Sequence, residues 1–126
     1  MANVLVVDDE SAIVQLLKLV LTQYGCTVLS ASGGVEALML FSSYRSTIDL
    51  LLTDVAMPGM TGVELVERVR AIDPGVAILL MSGSVPEDTK IPDDLRVLKK
   101  PFLPRELIEV VEQILQSVPH RDFGKH

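Results

Sequence analysis

The sequence predicts an α/β domain: a doubly wound, five-stranded parallel sheet with helices on both faces. Three observations point to it. Five short apolar runs recur along the chain, starting near residues 4, 27, 48, 76 and 95. Stretches with helical apolar spacing lie between them, and turn residues close most of them. Strands that alternate with helices in this way need crossover connections, which are right-handed and make the sheet parallel.

Each element has its own signal. Val4 to Val7 is a β-branched, apolar run that stops at Asp8, Asp9 and Glu10. Ser11 is placed to cap a helix in which Ile13, Leu16, Leu17, Val20 and Tyr24 recur at helical steps, and Gly25 supplies its stop. Thr27 to Ala31 reads as a second strand. Gly33-Gly34 then opens a helix with Ala37, Leu38, Phe41 and Tyr44 on one face. Ile48 to Leu52 is a strand buried on both faces, with Asp54 at its end, before the turn signals Pro58, Gly59 and Gly62. Thr61 or Gly62 begins a helix that turns Leu65, Val66, Val69 and Ile72 inward and Glu67, Arg68 and Arg70 outward; Asp73-Pro74-Gly75 ends it. Val76 to Met81 is the fourth strand and runs into Ser82-Gly83-Ser84.

Residues 85–94 carry two prolines and four acids, which leaves room for a fourth helix that is short or irregular. Leu95 to Leu98 is the fifth strand, closed by Lys99-Lys100-Pro101. The last helix sets Leu107, Val110 or Val111, Ile114 and Val118 against Arg105, Glu106, Glu109, Glu112 and Gln113. The domain is expected to span residues 1–118, with 119–126 as a flexible tail lacking periodicity.

Composition narrows the function classes. A chain of 126 residues with 48% hydrophobic content is sized for one domain with a real core. Its apolar stretches are far shorter than the ~20 residues of a membrane span, and no leader pattern precedes them. A soluble, cytoplasmic protein is expected. Cys26 is the single cysteine, so an internal disulfide and a thiolate cluster are both excluded, and a buried apolar role suits it. A net charge of −6 without a basic stripe argues against direct nucleic-acid binding.

The residues that close the strands carry the chemistry. In a parallel sheet the C-terminal strand ends share one rim, where open α/β sheets take their ligands. Asp8 and Asp9, Asp54, Ser82 and Lys100 would therefore converge there. Taken singly, each has a plain structural role: a cap pair, a strand end, a turn serine, a solvated lysine. Together they read as a site. Crowded carboxylates repel and need a proton or a cation, and oxygen ligands without His or Cys favour Mg²⁺. Such an ion can bridge to a phosphoryl oxygen, so Asp54 is the candidate nucleophile for an aspartyl-phosphate. Lys100 and Ser82 can contact the other phosphoryl oxygens. His120 and His126 lack companions that would make them ligands or donors. Met57, Met60 and Met81 read as packing residues, and Lys99 as a solvated neighbour.

Four stretches in this order, VLVVDDE at 4–10, LLLTDVAMPGMTG at 50–62, LLMSG at 79–83 and KKPF at 99–102, resemble the response-regulator receiver domain of bacterial two-component signalling. The resemblance covers Val4 to Leu115. It implies a flavodoxin-like sheet of order 2-1-3-4-5. It also implies that Asp54 accepts a phosphoryl group from a sensor histidine kinase or histidine phosphotransfer protein. Mg²⁺ would be held by Asp9, Asp54 and the backbone carbonyl of Ala56, with Asp8 acting through a metal-bound water. Ser82 would be the switch hydroxyl. Lys100, joined to Pro101 by a commonly cis peptide, would contact the phosphate. Output to a downstream protein target would pass through the face of helix four, strand five and helix five. Such a domain is a signalling phosphoacceptor rather than an enzyme acting on a separate substrate.

Two departures from the family pattern stand out. Val97 occupies the position, three residues before the lysine, where the family usually has Tyr or Phe, so the hydroxyl-plus-aromatic relay lacks its ring. The segment between Ser82 and Lys100 is short for the family, which implies an altered output face and more reliance on helix one or helix five. Two other readings stay open: a phosphorylation-independent interaction module, and a Mg²⁺-dependent phosphohydrolase with an aspartyl nucleophile. The second would call for Asp-x-Asp after the first strand, where this chain has Asp8-Asp9-Glu10. A stand-alone receiver and a receiver cut from a longer protein both fit the sequence, and homodimerisation is open.

Overall fold

A computed structural model describes residues 2–44, 46–83 and 89–117. The elements run in the order β1 (Asn3–Val7), α1 (Ser11–Tyr24), β2 (Thr27–Ala31), α2 (Gly34–Tyr44), β3 (Leu50–Asp54), α3 (Gly62–Ile72), β4 (Ala77–Ser82), β5 (Arg96–Lys99) and α4 (Pro104–Gln116). All five strands are parallel, in the order β2-β1-β3-β4-β5. The chain thus starts in the middle of the sheet and winds outward in both directions. The crevice between β1 and β3 is where that direction switches.

The central strands are apolar on both sides because both faces are covered. Period-two alternation splits their side chains between two cores. Val4, Val6, Leu50 and Leu52 pack with Leu17 and Leu21 of α1 and Leu107 and Val111 of α4. Leu5, Val7, Leu51 and Leu80 pack with Phe41 of α2 and Leu65 and Val69 of α3. Each fully buried leucine contributes about 1.5–3 kcal/mol of transfer free energy. Cys26 is buried at the foot of the first core.

Several local expectations are corrected. Ser11 is the first helical residue of α1 rather than its cap. Glu10 takes the extended cap conformation, and the Asp8 carboxylate accepts its N–H at 2.9 Å. The buried stripe of α1 runs through Leu17 and Leu21, whereas Leu16 and Tyr24 are each 39% exposed. Leu16 lies on the flank of that stripe. Tyr24 reaches outward because its hydroxyl donates to Glu112 of α4. Tyr44, at the end of α2, is also exposed. Strand four begins one residue later than expected and includes Ser82; strand five is Arg96–Lys99.

Between β4 and β5 the described residues contain no helix. Residues 89–95 run as irregular chain, with Ile91 and Leu95 packed against the second core, while 84–88 lie outside the described residues. The last helix, α4, starts on Pro104, whose missing N–H costs nothing in a first turn. Val118, expected on its inner face, and the tail at 119–126 also lie outside the described residues. Among the described residues no helix is long and apolar enough to cross a membrane.

Candidate functional site

The strand register brings the site together. Val7 of β1 pairs with Thr53 of β3, Asp54 with Met81 of β4, and Ser82 with Lys99 of β5. Asp8, Asp54, Ser82 and Lys100 therefore arrive at one edge, each at or just beyond a strand end. Asp9 follows on the loop into α1 and is exposed, whereas Asp8 and Asp54 are buried. One carboxylate oxygen from each of Asp8, Asp9 and Asp54 lies within 4.8 Å of the others.

Lys100 is the counter-ion within this group. Its ammonium sits 2.7 Å from Asp8 Oδ2, 3.5 Å from Asp54 Oδ2 and 3.9 Å from Glu10 Oε1. The backbone N–H of Lys100 donates to the Ser82 carbonyl at 2.9 Å and so ties the lysine to the end of β4. The Lys100–Pro101 peptide is cis. Glu10 was not expected near the lysine. Its position directly after the aspartate pair was the available signal.

The electrostatics favour a cation. Burial pushes the Asp54 carboxyl above its ordinary value; the Lys100 charge pulls it down, and Asp8 and Asp9 push it up. Burial alone would lower the Lys100 ammonium, but the Asp8 hydrogen bond and the charges of Asp54, Asp8 and Glu10 outweigh it and hold it above the usual lysine range. Asp8, Asp9, Asp54 and Glu10 set four carboxylates against the Lys100 ammonium and leave an excess of negative charge. A hard divalent cation offsets that excess, and the all-oxygen donor set suits Mg²⁺.

Ser82 supplies a second kind of opening. It is only 4% exposed, and its hydroxyl is buried without a hydrogen-bond partner among the described residues. Such a group costs about 1–3 kcal/mol and is retained most readily where a ligand oxygen can satisfy it. Val97, the second residue of β5, is 41% exposed. Met57 and Met81 are buried packing residues, and Lys99 is exposed.

Two contacts on the Asp54 peptide were not expected from the sequence, in which Thr53 was not singled out and Gly62 was read only as a turn residue or helix start. The Thr53 hydroxyl donates to the Asp54 carbonyl at 3.0 Å. Gly62, the first residue of α3, lies against that same carbonyl. A related miss is the Thr61–Glu64 capping box, whose T-x-x-E signature was present.

A parallel sheet whose rim gathers carboxylates, a lysine and an unsatisfied hydroxyl defines a protein that can receive a cation together with an anionic group. The sequence matches the response regulator receiver domain over residues 4–112, and the chain belongs to that family of two-component systems. Among its relatives, the response regulator receiver protein CpdR of Brucella abortus (strain 2308) is 32% identical over 119 residues, covering 91% of this chain and 98% of CpdR. The transcriptional regulatory protein GlrR of Escherichia coli (strain K12) is 30% identical over 126 residues, covering 96% of this chain; the chain spans only 28% of GlrR. A response regulator receiver domain protein from Clostridium thermocellum superimposes with a TM-score of 0.85 at 30% identity, covering 92% of this chain and 95% of that one.

Proposed function

We propose that this domain, spanning residues 1–118, is a cytoplasmic phosphoacceptor that takes a phosphoryl group onto Asp54 from a phosphohistidine of a sensor kinase or phosphotransfer protein. The observation that carries this reading is the Lys100 ammonium, 2.7 Å from Asp8 and 3.5 Å from Asp54. It lies where a phosphoryl group on Asp54 needs a cation.

Asp9, Asp54 and the Ala56 carbonyl would hold Mg²⁺, with Asp8 contributing through a bound water. When bound, the ion lowers the repulsion between the attacking carboxylate and the incoming phosphoryl oxygens. The chain's own residues do the rest. An Asp54 oxygen forms the new O–P bond as the P–N bond to the donor imidazole breaks, and the imidazole leaves with the bonding pair and takes up a proton. Lys100 shifts its ammonium from Asp8 toward a phosphoryl oxygen. Ser82 donates its hydroxyl to another, and the lack of a partner for that hydroxyl among the described residues supports the role.

Phosphorylation adds ~−1.5 to −2 charge at this rim, as for other phospho-residues. Satisfying Ser82 and re-pairing Lys100 then biases a pre-existing equilibrium, which alters partner binding. The exposed aliphatic Val97 supports a readout carried by Ser82 and Lys100 without a ring movement.

Phosphotransfer from a radiolabelled phosphohistidine protein tests this directly. The label should move to the chain, resist loss at mildly acidic pH, and be released by hydroxylamine, as an acyl phosphate requires. Label that survives hydroxylamine would exclude an aspartyl-phosphate.

A further inference from the structure

The α3 helix begins unusually close to the acceptor. A Cβ built on Gly62 would lie 2.1 Å from the Asp54 carbonyl oxygen and 2.9 Å from both the Asp54 carbonyl carbon and Val55 Cα. These are backbone atoms and cannot swing aside as the end of a side chain can. Backbone conformation does not demand the glycine, because positive φ angles occur only at Gly25 and Gly59 among the glycines described. Space alone requires it. The approach is also bonded: Gly62 N–H donates to the Val55 carbonyl at 2.8 Å, and Val55 N–H to the Met81 carbonyl at 2.9 Å. The Thr53 hydroxyl holds the Asp54 carbonyl at 3.0 Å.

We propose that Gly62 and Thr53 are positioning residues for the acceptor: Gly62 lets the first turn of α3 close on the Asp54 peptide, and the Thr53 hydroxyl fixes the plane of that peptide. The inference rests on the reading of Asp54 as phosphoacceptor. Neither residue touches the phosphoryl group; each acts through the main chain that aims the Asp54 carboxylate. In-line attack is sensitive to such aim, and a displacement of about 1 Å can cost on the order of 100-fold in rate. The capping box of Thr61 and Glu64 anchors the same helix start, so a side chain at 62 is relieved by moving the acceptor strand or by breaking the cap.

The test compares phosphorylation rates with a small-molecule phosphodonor at saturating Mg²⁺, corrected for the folded fraction. Gly62→Ala should slow labelling at least about tenfold. Val69→Ala, a buried change elsewhere in α3, matches it as a destabilised control and should stay within about twofold of wild type. Thr53→Val should slow labelling several-fold, while Thr53→Ser, which restores the hydroxyl, should recover most of the rate. Amide hydrogen exchange gives a readout that does not depend on phosphorylation: the Val55 N–H should lose protection in Gly62→Ala and keep it in Val69→Ala. Wild-type rates in Gly62→Ala or in Thr53→Val overturn the proposal. So does unchanged Val55 protection in Gly62→Ala, and that arm decides the matter if Gly62→Ala labels too slowly to rate. Failure of the wild type to label at all overturns the acceptor reading instead, leaving exchange at Val55 to judge the positioning.

Discussion

Lys100 and Asp8 stand 92 positions apart in sequence, and their charged groups meet at 2.7 Å. The Asp8 side chain is fully buried and that of Lys100 is 14% exposed, so the pair has little water to screen it. The lysine serves as an internal cation of an acidic site.

Removing that cation should expose the cost of the acids. Lys100→Met should lower the stability of the metal-free protein by about 3 kcal/mol, because Asp8 is left charged and buried. Mg²⁺ should recover more stability in this variant than in wild type. Urea unfolding with EDTA and with Mg²⁺ checks both; an equal loss in the two conditions would mean that the ion does not replace the lysine.

The Asp54 carboxyl predicts a pH-dependent effect with a definite sign. Its value in the fold is raised above the ordinary 3.8 by burial, partly opposed by Lys100. Folded protein therefore holds this proton more tightly than the unfolded chain does. The linked stability is fully present below pH 3.8 and is lost as pH rises through the raised folded value. Asp54→Asn should accordingly be more stable than wild type at neutral pH in EDTA, and the gain should vanish below that range. Thermal melts across pH measure it, and a less stable variant at neutral pH would show that the charged carboxylate is not disfavoured.

Tyr24 is pushed up to about 12, first by its hydrogen bond to Glu112, then by burial and by the charge of that carboxylate. Its contribution is present below pH 10 and is lost as pH rises through about 12. Tyr24 is 39% exposed, so the contact should be worth less than ~1 kcal/mol. Glu112→Gln should bring the tyrosinate absorbance transition of Tyr24 back toward 10, and an unmoved transition would assign the shift to burial.

Much of this architecture was legible because it depends on local pattern. The sequence pattern of Thr27–Ala31 matches the observed limits of β2, and the residues closing the apolar runs include Asp8, Asp9, Asp54, Ser82 and Lys100. Parallel topology turns strand ends into a common rim, so the site follows once the strands are found. Other features depend on tertiary placement. The face of α1 could not be fixed from spacing, since Leu16 and Leu21 both suit a helical stripe and only the angle of packing against the sheet buries Leu21. The Lys100–Asp8 pairing joins groups that the rim brings close but does not pair. Gly62 reads as a helix start in sequence; its contact with the Asp54 carbonyl exists only after α3 folds back onto β3.

The most direct test of the central claim is intact mass after incubation with acetyl phosphate, with and without Mg²⁺, on wild type and Asp54→Asn. The account predicts a single phosphoryl adduct on wild type that requires Mg²⁺ and is absent from the variant. An equal adduct on Asp54→Asn, or no adduct on wild type that demonstrably binds Mg²⁺, would contradict it.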